Sequence, residues 1–475
     1  MWYIREHLKN DYMKGKTLDE IFEAGRPADL IIADLKKKIV DIPSWEKVLV
    51  KEYEPKHHPV MDTALYPDII EDGVCKPVTR VAFNTQKLCV KRMAGMCFGI
   101  PAEVNFQPEA NNTKQEEVAR YIDNILERVR IDSVNFERAK HYFAACEAFT
   151  LWYGVKSPNT LYGFKSDIKL RCRVFSPMNG DELYPLFDEY GDLVAFSIAY
   201  SEKSNEGMVQ WFDTYTADKH YRWVNEGHGW AEDNVEDITT GKIPGVYIWR
   251  PEPIWEDSSH LVYDRERKMS LNGNYIDKNN KPVFVIHADD ALPFGEESVT
   301  NQEDRLILQL PTNAKAEYVT WQQSVESLKF HTDTLKSAVF EQLQIPNWSY
   351  EDMKAVRTSG EGLKQLMIDA HLKVMEESGK LKEMLDREVN VIKAFLKQML
   401  DVSYAEAIDS LQFEVVITPY IVSDEKERIS NLAIANGNKP MISQKESIRL
   451  LGYSNDPEQT MRDIAEETVV DTMSL

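Results

Sequence analysis

Between Val319 and Met399 the sequence carries two long amphipathic helical patterns, interrupted once at Ile345-Pro346-Asn347-Trp348. Proline lacks an amide proton and restricts the residue before it, so a helix must stop there. After the break come Thr358-Ser359-Gly360-Glu361-Gly362-Leu363-Lys364, whose two glycines cost helix stability and favour a loop that bends or approaches something closely. Roughly forty helix-compatible residues follow, which at about 1.5 Å per residue span about 60 Å. Leu363, Met367, Ala370, Val374, Leu381, Leu385, Ile392, Phe395 and Met399 trace one stripe, mostly at spacings of three, four or seven. A helix this long is expected to pack along a neighbour, and the stripe is a candidate subunit-packing surface. An intramolecular helical hairpin is the alternative.

A chain of 475 residues can bury a substantial core and suggests roughly two to four domains. Its 43% hydrophobic and 28% charged content is that of a soluble globular protein. No apolar run approaches the roughly eighteen residues that a spanning helix needs, so no membrane partner is expected. Met1-Trp2-Tyr3-Ile4-Arg5-Glu6-His7 lacks a basic region followed by an apolar stretch, so no secretory signal is expected. Cys75, Cys89, Cys97, Cys146 and Cys172 show no CxxC spacing and read as reduced cytosolic thiols rather than a disulfide frame or zinc site. The net charge of −22 argues against tight wrapping of nucleic acid, though not against a surface that DNA passes without sticking.

Thr17-Leu18-Asp19-Glu20 is a capping box, and Ser443-Gln444-Lys445-Glu446 is another. Val81 to Ile100 is helix-compatible up to Pro101, and a long helical stretch is expected from Thr113 to Tyr153. The period then changes: Leu193–Tyr200, Val209–Thr216 and His220–Val224 alternate as strands of hairpins, with Pro244–Pro253 as a closing strand. A helix begins at Glu256-Asp257-Ser258-Ser259, and its passage through Asn272-Gly273-Asn274 runs against glycine's helix cost. Pro282–Ile286 and Arg305–Leu310 read as short strands, and Phe413–Tyr420 as another before a C-terminal helical pair.

Chemical motifs fail one after another. Gly15-Lys16-Thr17 would need a glycine five residues before Gly15 to form a phosphate loop, and Asn10 stands there. His287-Ala288-Asp289-Asp290 could offer metal ligands, but strand-end acids in a polar loop are commonplace. His57-His58 beside Pro59 reads as loop. Trp211, Tyr215, Tyr221 and Trp223 could stack on single-stranded bases, yet such residues are usually strand core or interface. Lys87, Lys91 and Arg92 read as a solvated helix face.

The succession of elements from about residue 75 to 470 resembles a tailed-phage portal protein of the group built around Gram-positive siphophage connectors. Asn84 to Pro101, ending Phe98-Gly99-Ile100-Pro101, resembles that family's early helix and G-x-P turn, and Phe143 to Tyr153 its following helix. Ile243-Pro244-Gly245-Val246-Tyr247 resembles the I-P-x-V strand before the first stem helix. Ser359-Gly360-Glu361-Gly362-Leu363-Lys364 is similar to S-G-x-A-L-K at the start of the long helix, with Gly362 where alanine is commoner. Ile417-Thr418-Pro419-Tyr420 and Met441 to Ser447 resemble the closing strand and the I-S-x-E-T helix. The latter has an extra residue before Glu446 and a serine for threonine.

The resemblance implies an α+β portal-type fold with long stem and spine helices, a β-rich wing and clip, and a helical C-terminal crown. Mapped by position, 1–255 is wing, 256–280 the first stem helix, 281–315 the clip and 316–343 the second stem helix. Residues 344–358 are the tunnel loop, 359–400 the long wing helix, and 401–475 the closing strand and crown. The implied assembly is a ring, usually a dodecamer, at one capsid vertex of the virion, formed in the host cytoplasm. Its implied partners are the terminase large subunit, a head–tail adaptor, major capsid and scaffolding proteins, and double-stranded DNA in the channel. No catalytic site, cofactor or metal is implied. Gln344, Trp348, Lys354 and Arg357 are the candidate DNA-facing residues, because few bases near the bore would let DNA slide. Ser359, Gly360, Gly362 and Lys364 are the candidate hinge between loop and helix. The rival readings are a non-viral helical scaffold or adaptor, and a metal-dependent nuclease using His287, Asp289 and Asp290.

Overall fold

The computed structural model describes residues 17–473 apart from 38–39, 72, 205–206, 280–282, 288–298, 303–304, 309–314, 320–324, 346–366, 421–424, 438–439, 453 and 455. The fold is α+β. Its main core begins with the helix Thr85–Phe98, in which Cys89, Val90, Met93 and Cys97 are buried. Helix Thr113–Val129 follows, capped by the Asn112 side chain accepting from the Gln115 amide at 3.3 Å. Val118, Ile122 and Ile125 recur every three or four residues and are buried in the same core. Arg130, left-handed at φ 57°, turns the chain into helix Ile131–Ala145, and Cys146 at φ 64° ends that helix.

The helix expected to reach Tyr153 stops at Ala145, and Glu147–Asn159 is a strand. The physical reason is burial on both faces. Ala148 and Trp152 point into the main core, while Phe149 and Leu151 point into a second cluster between two sheets. A strand buried on both sides shows no alternation and reads like a buried helix. This strand is the centre of a three-stranded antiparallel sheet, flanked by Gly245–Trp249 and Ser166–Phe175. Gly245 is required there, since a Cβ would overlap the Phe149 ring.

Five antiparallel strands, Glu182–Phe187, Leu193–Ser204, Gly207–Thr216, Lys219–Asn225 and Ala231–Asp237, form a meander. Its period-two pattern separates two faces. Ala199, Phe212 and Trp223 pair across the strands and pack on Ile21, Ile32 and Leu35 of the N-terminal helices. Phe196, Ile198 and Tyr215 face the three-stranded sheet, where Phe196 stacks on Phe149 at 3.7 Å. The aromatic strand residues are therefore largely core. Tyr215 and Trp223 are buried, and Tyr221 stacks on Phe22 at 4.3 Å. The capping box at Thr17 and Glu20 is formed, each side chain bonding the other's amide.

Helix Ile368–Met399 runs through the main core. Met367, Ala370, Val374, Leu381, Leu385, Ile392 and Phe395 are all buried within a single subunit. The stripe is thus intramolecular packing, which corrects its reading as a surface between subunits. The helix is long because it crosses a core built from both sheet-bearing and helical layers. Strand Gln412–Val416 closes that core by pairing with Glu103–Gln107.

Helices Ser259–Asn279 and Val325–Gln342 pack on each other, and the described residues between them include two antiparallel strand pairs. Val283–His287 pairs with Lys315–Val319, and Val299–Gln302 with Arg305–Leu308. Residues 316–319, assigned by position to the second helix, belong to a strand instead. Helices Glu425–Ala435, Gln444–Leu451 and Pro457–Met473 end the chain, with Ser443 accepting from the Glu446 amide at 3.1 Å. All five cysteines are free. Burial pushes the Cys89, Cys146 and Cys172 thiols up to about 12, which keeps them unreactive.

Candidate functional site

The helix pair Ser259–Asn279 and Val325–Gln342 is joined to the main core by two devices, and a third fixes the long helix within that core. The first is a strap, residues 79–83, lying along helix Ser259–Asn279. The amides of Thr79, Val81 and Phe83 donate to Asn274 Oδ1 at 2.6 Å, Ser270 Oγ at 2.8 Å and Glu266 Oε1 at 2.6 Å. Alternate residues of an extended chain recur about every 6.6 Å, close to the roughly 6 Å between every fourth helical residue. An extended segment can therefore run antiparallel to a helix and find an acceptor at each step. Thr79 Oγ1 adds a bond to Asp277 Oδ2 at 2.6 Å. His58 Nδ1 lies 2.8 Å from Glu266, its Nε2 lies 2.8 Å from the Glu52 carbonyl, and Trp255 Nε1 donates to Glu52 Oε2 at 2.9 Å.

Gly273 sits beneath this strap in mid-helix, and a Cβ there would lie 2.6 Å from Thr79 Cγ2. Close approach explains a glycine in a helix interior. Gly273→Ala should gain up to about 1 kcal/mol of helix propensity and lose about 1–3 kcal/mol to the clash. The expected outcome is a net loss in denaturant unfolding, with faster amide exchange at Thr79 and Val81. The loss should disappear in a Thr79→Gly background; if it persists there, the strap is not what excludes the side chain.

The second device is the end of helix Val325–Gln342. His331 Nε2 reaches Asp264 at 3.2 Å across the pair, and Arg265 lies 4.1 Å above the Phe83 ring. Further along, Val339, Phe340, Leu343 and Ile345 enter the main core. Between the last two stands Gln344, half-buried and left-handed at φ 52°. An L-residue carries a conformational cost there that glycine avoids. Gln344→Gly should raise stability by about 1 kcal/mol, measured by thermal unfolding; a fall would mean that its side chain contributes contacts outweighing the strain.

The third device is a buried ionic latch. Arg138 Nη1 and Nη2 donate to Glu388 Oε1 and Oε2 at 2.8 and 2.6 Å, and Trp152 Nε1 donates to Oε1 at 3.0 Å. Arg138 also reaches Asn135 and Thr150. About three turns earlier on the same long helix, Arg250 pairs with Glu377 at 3.3 Å, and Tyr142 donates to Glu377 at 3.2 Å. The long helix is thereby fixed against helix Ile131–Ala145 and the central strand.

Of the candidate DNA-facing residues, only Gln344 is described. Trp348, Lys354 and Arg357 lie outside the described residues, as do the hinge residues Ser359, Gly360, Gly362 and Lys364. Their flanks are described: Ile345 and Met367 both belong to the main core. His287 ends a strand opposite Lys315, while Asp289 and Asp290 lie outside the described residues. Among the described residues no group of three His, Cys, Asp or Glu is placed to hold a metal ion, and no helix is long and apolar enough to cross a membrane. The strap and the latch were not visible in sequence. Glu266, Ser270, Asn274 and Asp277 do share one helix face by their spacing, which is the only signal for the strap.

A sheet-and-helix core carries a helix pair, tied to it by the strap, with antiparallel strand pairs in the chain between the two helices. The chain belongs to the phage portal protein family, SPP1 Gp6-like, whose model matches residues 31–469. Among solved structures, it is similar at 10% identity to a chain of the virion of a native gene transfer agent (GTA) particle, with a TM-score of 0.41, covering 87% of this chain and 95% of that one. It is similar at 11% identity to a chain from the neck of an empty GTA particle computed with C6 symmetry, with a TM-score of 0.39, covering 78% and 90%. A chain from the neck of a native GTA particle computed with C12 symmetry matches at 11% identity and a TM-score of 0.39, covering 87% and 94%. No curated protein matches the sequence.

Proposed function

We propose that this portal-family chain assembles into a ring, a dodecamer, at one capsid vertex, through which double-stranded DNA is packaged and ejected. The observation that carries this reading is the family match over residues 31–469, which spans core, helix pair and C-terminal helices alike. In this reading 1–255 is the wing and 256–343 holds stem and clip. The segment from 344 to 358 is the tunnel loop, 359–400 the long wing helix and 401–475 the closing strand and crown. The clip docks the terminase large subunit during packaging and a head–tail adaptor afterwards, while the wing meets major capsid and scaffolding proteins. Assembly takes place in the host cytoplasm and ends in the virion.

Native mass measurement and negative-stain imaging test the ring: a closed particle with a central hole is expected, and a monomer or dimer at assembly concentrations overturns it. Within the ring, Gln344, Trp348, Lys354 and Arg357 face DNA, and Ser359, Gly360, Gly362 and Lys364 let the loop move. Lys354→Ala with Arg357→Ala should leave ring mass unchanged and lower DNA packaging and retention, because each lost phosphate contact weakens DNA association. Unchanged packaging and retention would remove these two residues from the channel.

A further inference from the structure

We propose that the N-terminal residues Met1–Lys16 dock along the free edge of strand Ala231–Asp237, where Trp2–Lys9 pair as a sixth strand of the meander. The contact lies within one chain and is independent of the ring. Strand Ala231–Asp237 ends the order of the five-stranded sheet, so it is hydrogen-bonded on one side only. All seven of its residues are exposed, whereas each of the other four strands contributes buried side chains. It carries Glu232, Asp233, Glu236 and Asp237. On the adjoining strand, Lys219 stands opposite Asp237, His220 lies 4.0 Å from Glu236, and Arg222 is taken by Asp213 at 2.9 Å. The edge keeps a negative balance after these neighbours are counted. Its carboxylates and the bulge at Asp233 keep two such edges of different copies apart. The same carboxylates suit a basic strand.

The chain supplies one at the right place. Its first sixteen residues hold Arg5, Lys9, Lys14 and Lys16 against Glu6 and Asp11, a positive balance in a chain of net charge −22. In an extended conformation Trp2, Ile4, Glu6 and Leu8 fall on one side, and Tyr3, Arg5, His7 and Lys9 on the other. No proline interrupts this run. The edge offers matching sides: Val235, 37% exposed, lies beside Tyr221, and Glu236 lies beside His220 on the opposite face. Immediately after Lys16 the chain is already on this part of the sheet. Leu18 packs on the cluster that holds Trp223, and Phe22 stacks on Tyr221 at 4.3 Å, one strand in from Val235. Asp29 Oδ1 accepts the Trp230 amide at 3.2 Å, so the N-terminal helices also hold the start of the edge strand. Neighbouring strands lie about 4.8 Å apart and an extended residue spans about 3.3 Å, so residues 10–16 can bring the run back to the edge. Main-chain pairing would supply affinity and opposite charge selectivity.

The test is amide hydrogen exchange on the full chain. Glu232→Lys with Glu236→Lys is the edge variant, and Arg5→Glu with Lys9→Glu is the arm variant. In the parent, amides 4–8 and 232–236 should exchange at least about tenfold more slowly than in either variant. Combining all four substitutions restores opposite charges and should recover much of that protection. The amides of Phe196 and Phe212 should stay protected throughout, which shows that the meander remains folded. Unprotected arm amides in the parent overturn the docking, as does protection that neither reversal changes or that the combination fails to recover. Protection that falls on dilution overturns it as well, because the arm would then lie on another copy. Particle mass should be the same in all four proteins. Failure of the docking therefore leaves the ring reading standing, and failure of the ring leaves the docking standing.

Discussion

Glu388→Ala is expected to cost about 3–5 kcal/mol of stability, because it leaves a buried guanidinium without its counter-charge. Arg138 and Glu388 are each only 1% exposed at the side chain. The carboxylate takes both terminal nitrogens of Arg138 and the Trp152 indole, so its removal strands three buried donors. Arg138→Met combined with Glu388→Leu should cost clearly less than Glu388→Ala alone, since the charge and its partner leave together and the volume stays filled. It should still cost something, because Trp152 loses its acceptor. Denaturant unfolding of Arg138→Met, Glu388→Leu and their combination completes a double-mutant cycle. A loss below about 1 kcal/mol for Glu388→Ala would mean that water or rearrangement satisfies Arg138, and that the latch does not orient the long helix.

The latch also marks where sequence reasoning stopped. Arg138 and Glu388 are 250 positions apart, and helical periodicity put both among polar residues with no signal of burial. The aromatic meander was legible because its strands alternate between two faces, with Phe212 and Phe196 falling on opposite sides. Strand Glu147–Asn159 was not, since residues 147–152 are buried without alternation and imitate a helix. The strands at Val299–Gln302 and Lys315–Val319 went unseen because they are polar and short, and tertiary pairing overrides weak propensity. Gly273 read as a threat to its helix, whereas the structure gives it a packing role against Thr79. The long stripe was located correctly, but periodicity says only that a face is buried and not by which chain. Its partners are helix Thr85–Phe98 and strands Gly245–Trp249 and Gln412–Val416 of the same core rather than a neighbouring subunit. As for the candidate site, Gln344 was singled out as the first residue of the expected tunnel loop, and its left-handed backbone could not have been inferred from its residue type.

Glu266→Leu should be the second large effect, and it should be local in a way that Glu388→Ala is not. Glu266 and His58 are fully buried, and Glu266 Oε1 also accepts the Phe83 amide. The Glu52 carbonyl beside His58 Nε2 can only accept, so Nε2 carries a proton and Glu266 is the partner left for Nδ1. Leucine fills the space but satisfies neither Nδ1 nor the Phe83 amide, for an expected loss of about 2–5 kcal/mol. Because the strap is held at Thr79, Val81 and Phe83 in succession, losing the Phe83 anchor should free the other two. Amide exchange should accelerate at all three, while the meander amides of Phe196 and Phe212 keep their protection. Gly273→Ala pushes at the opposite end of the same strap, so the two substitutions together should cost less than the sum of each alone. An additive result would mean that 79–83 responds as separate contacts. A less-than-additive one would make it a single tie, through which any tilt of helix Ser259–Asn279 is felt at the start of helix Thr85–Phe98.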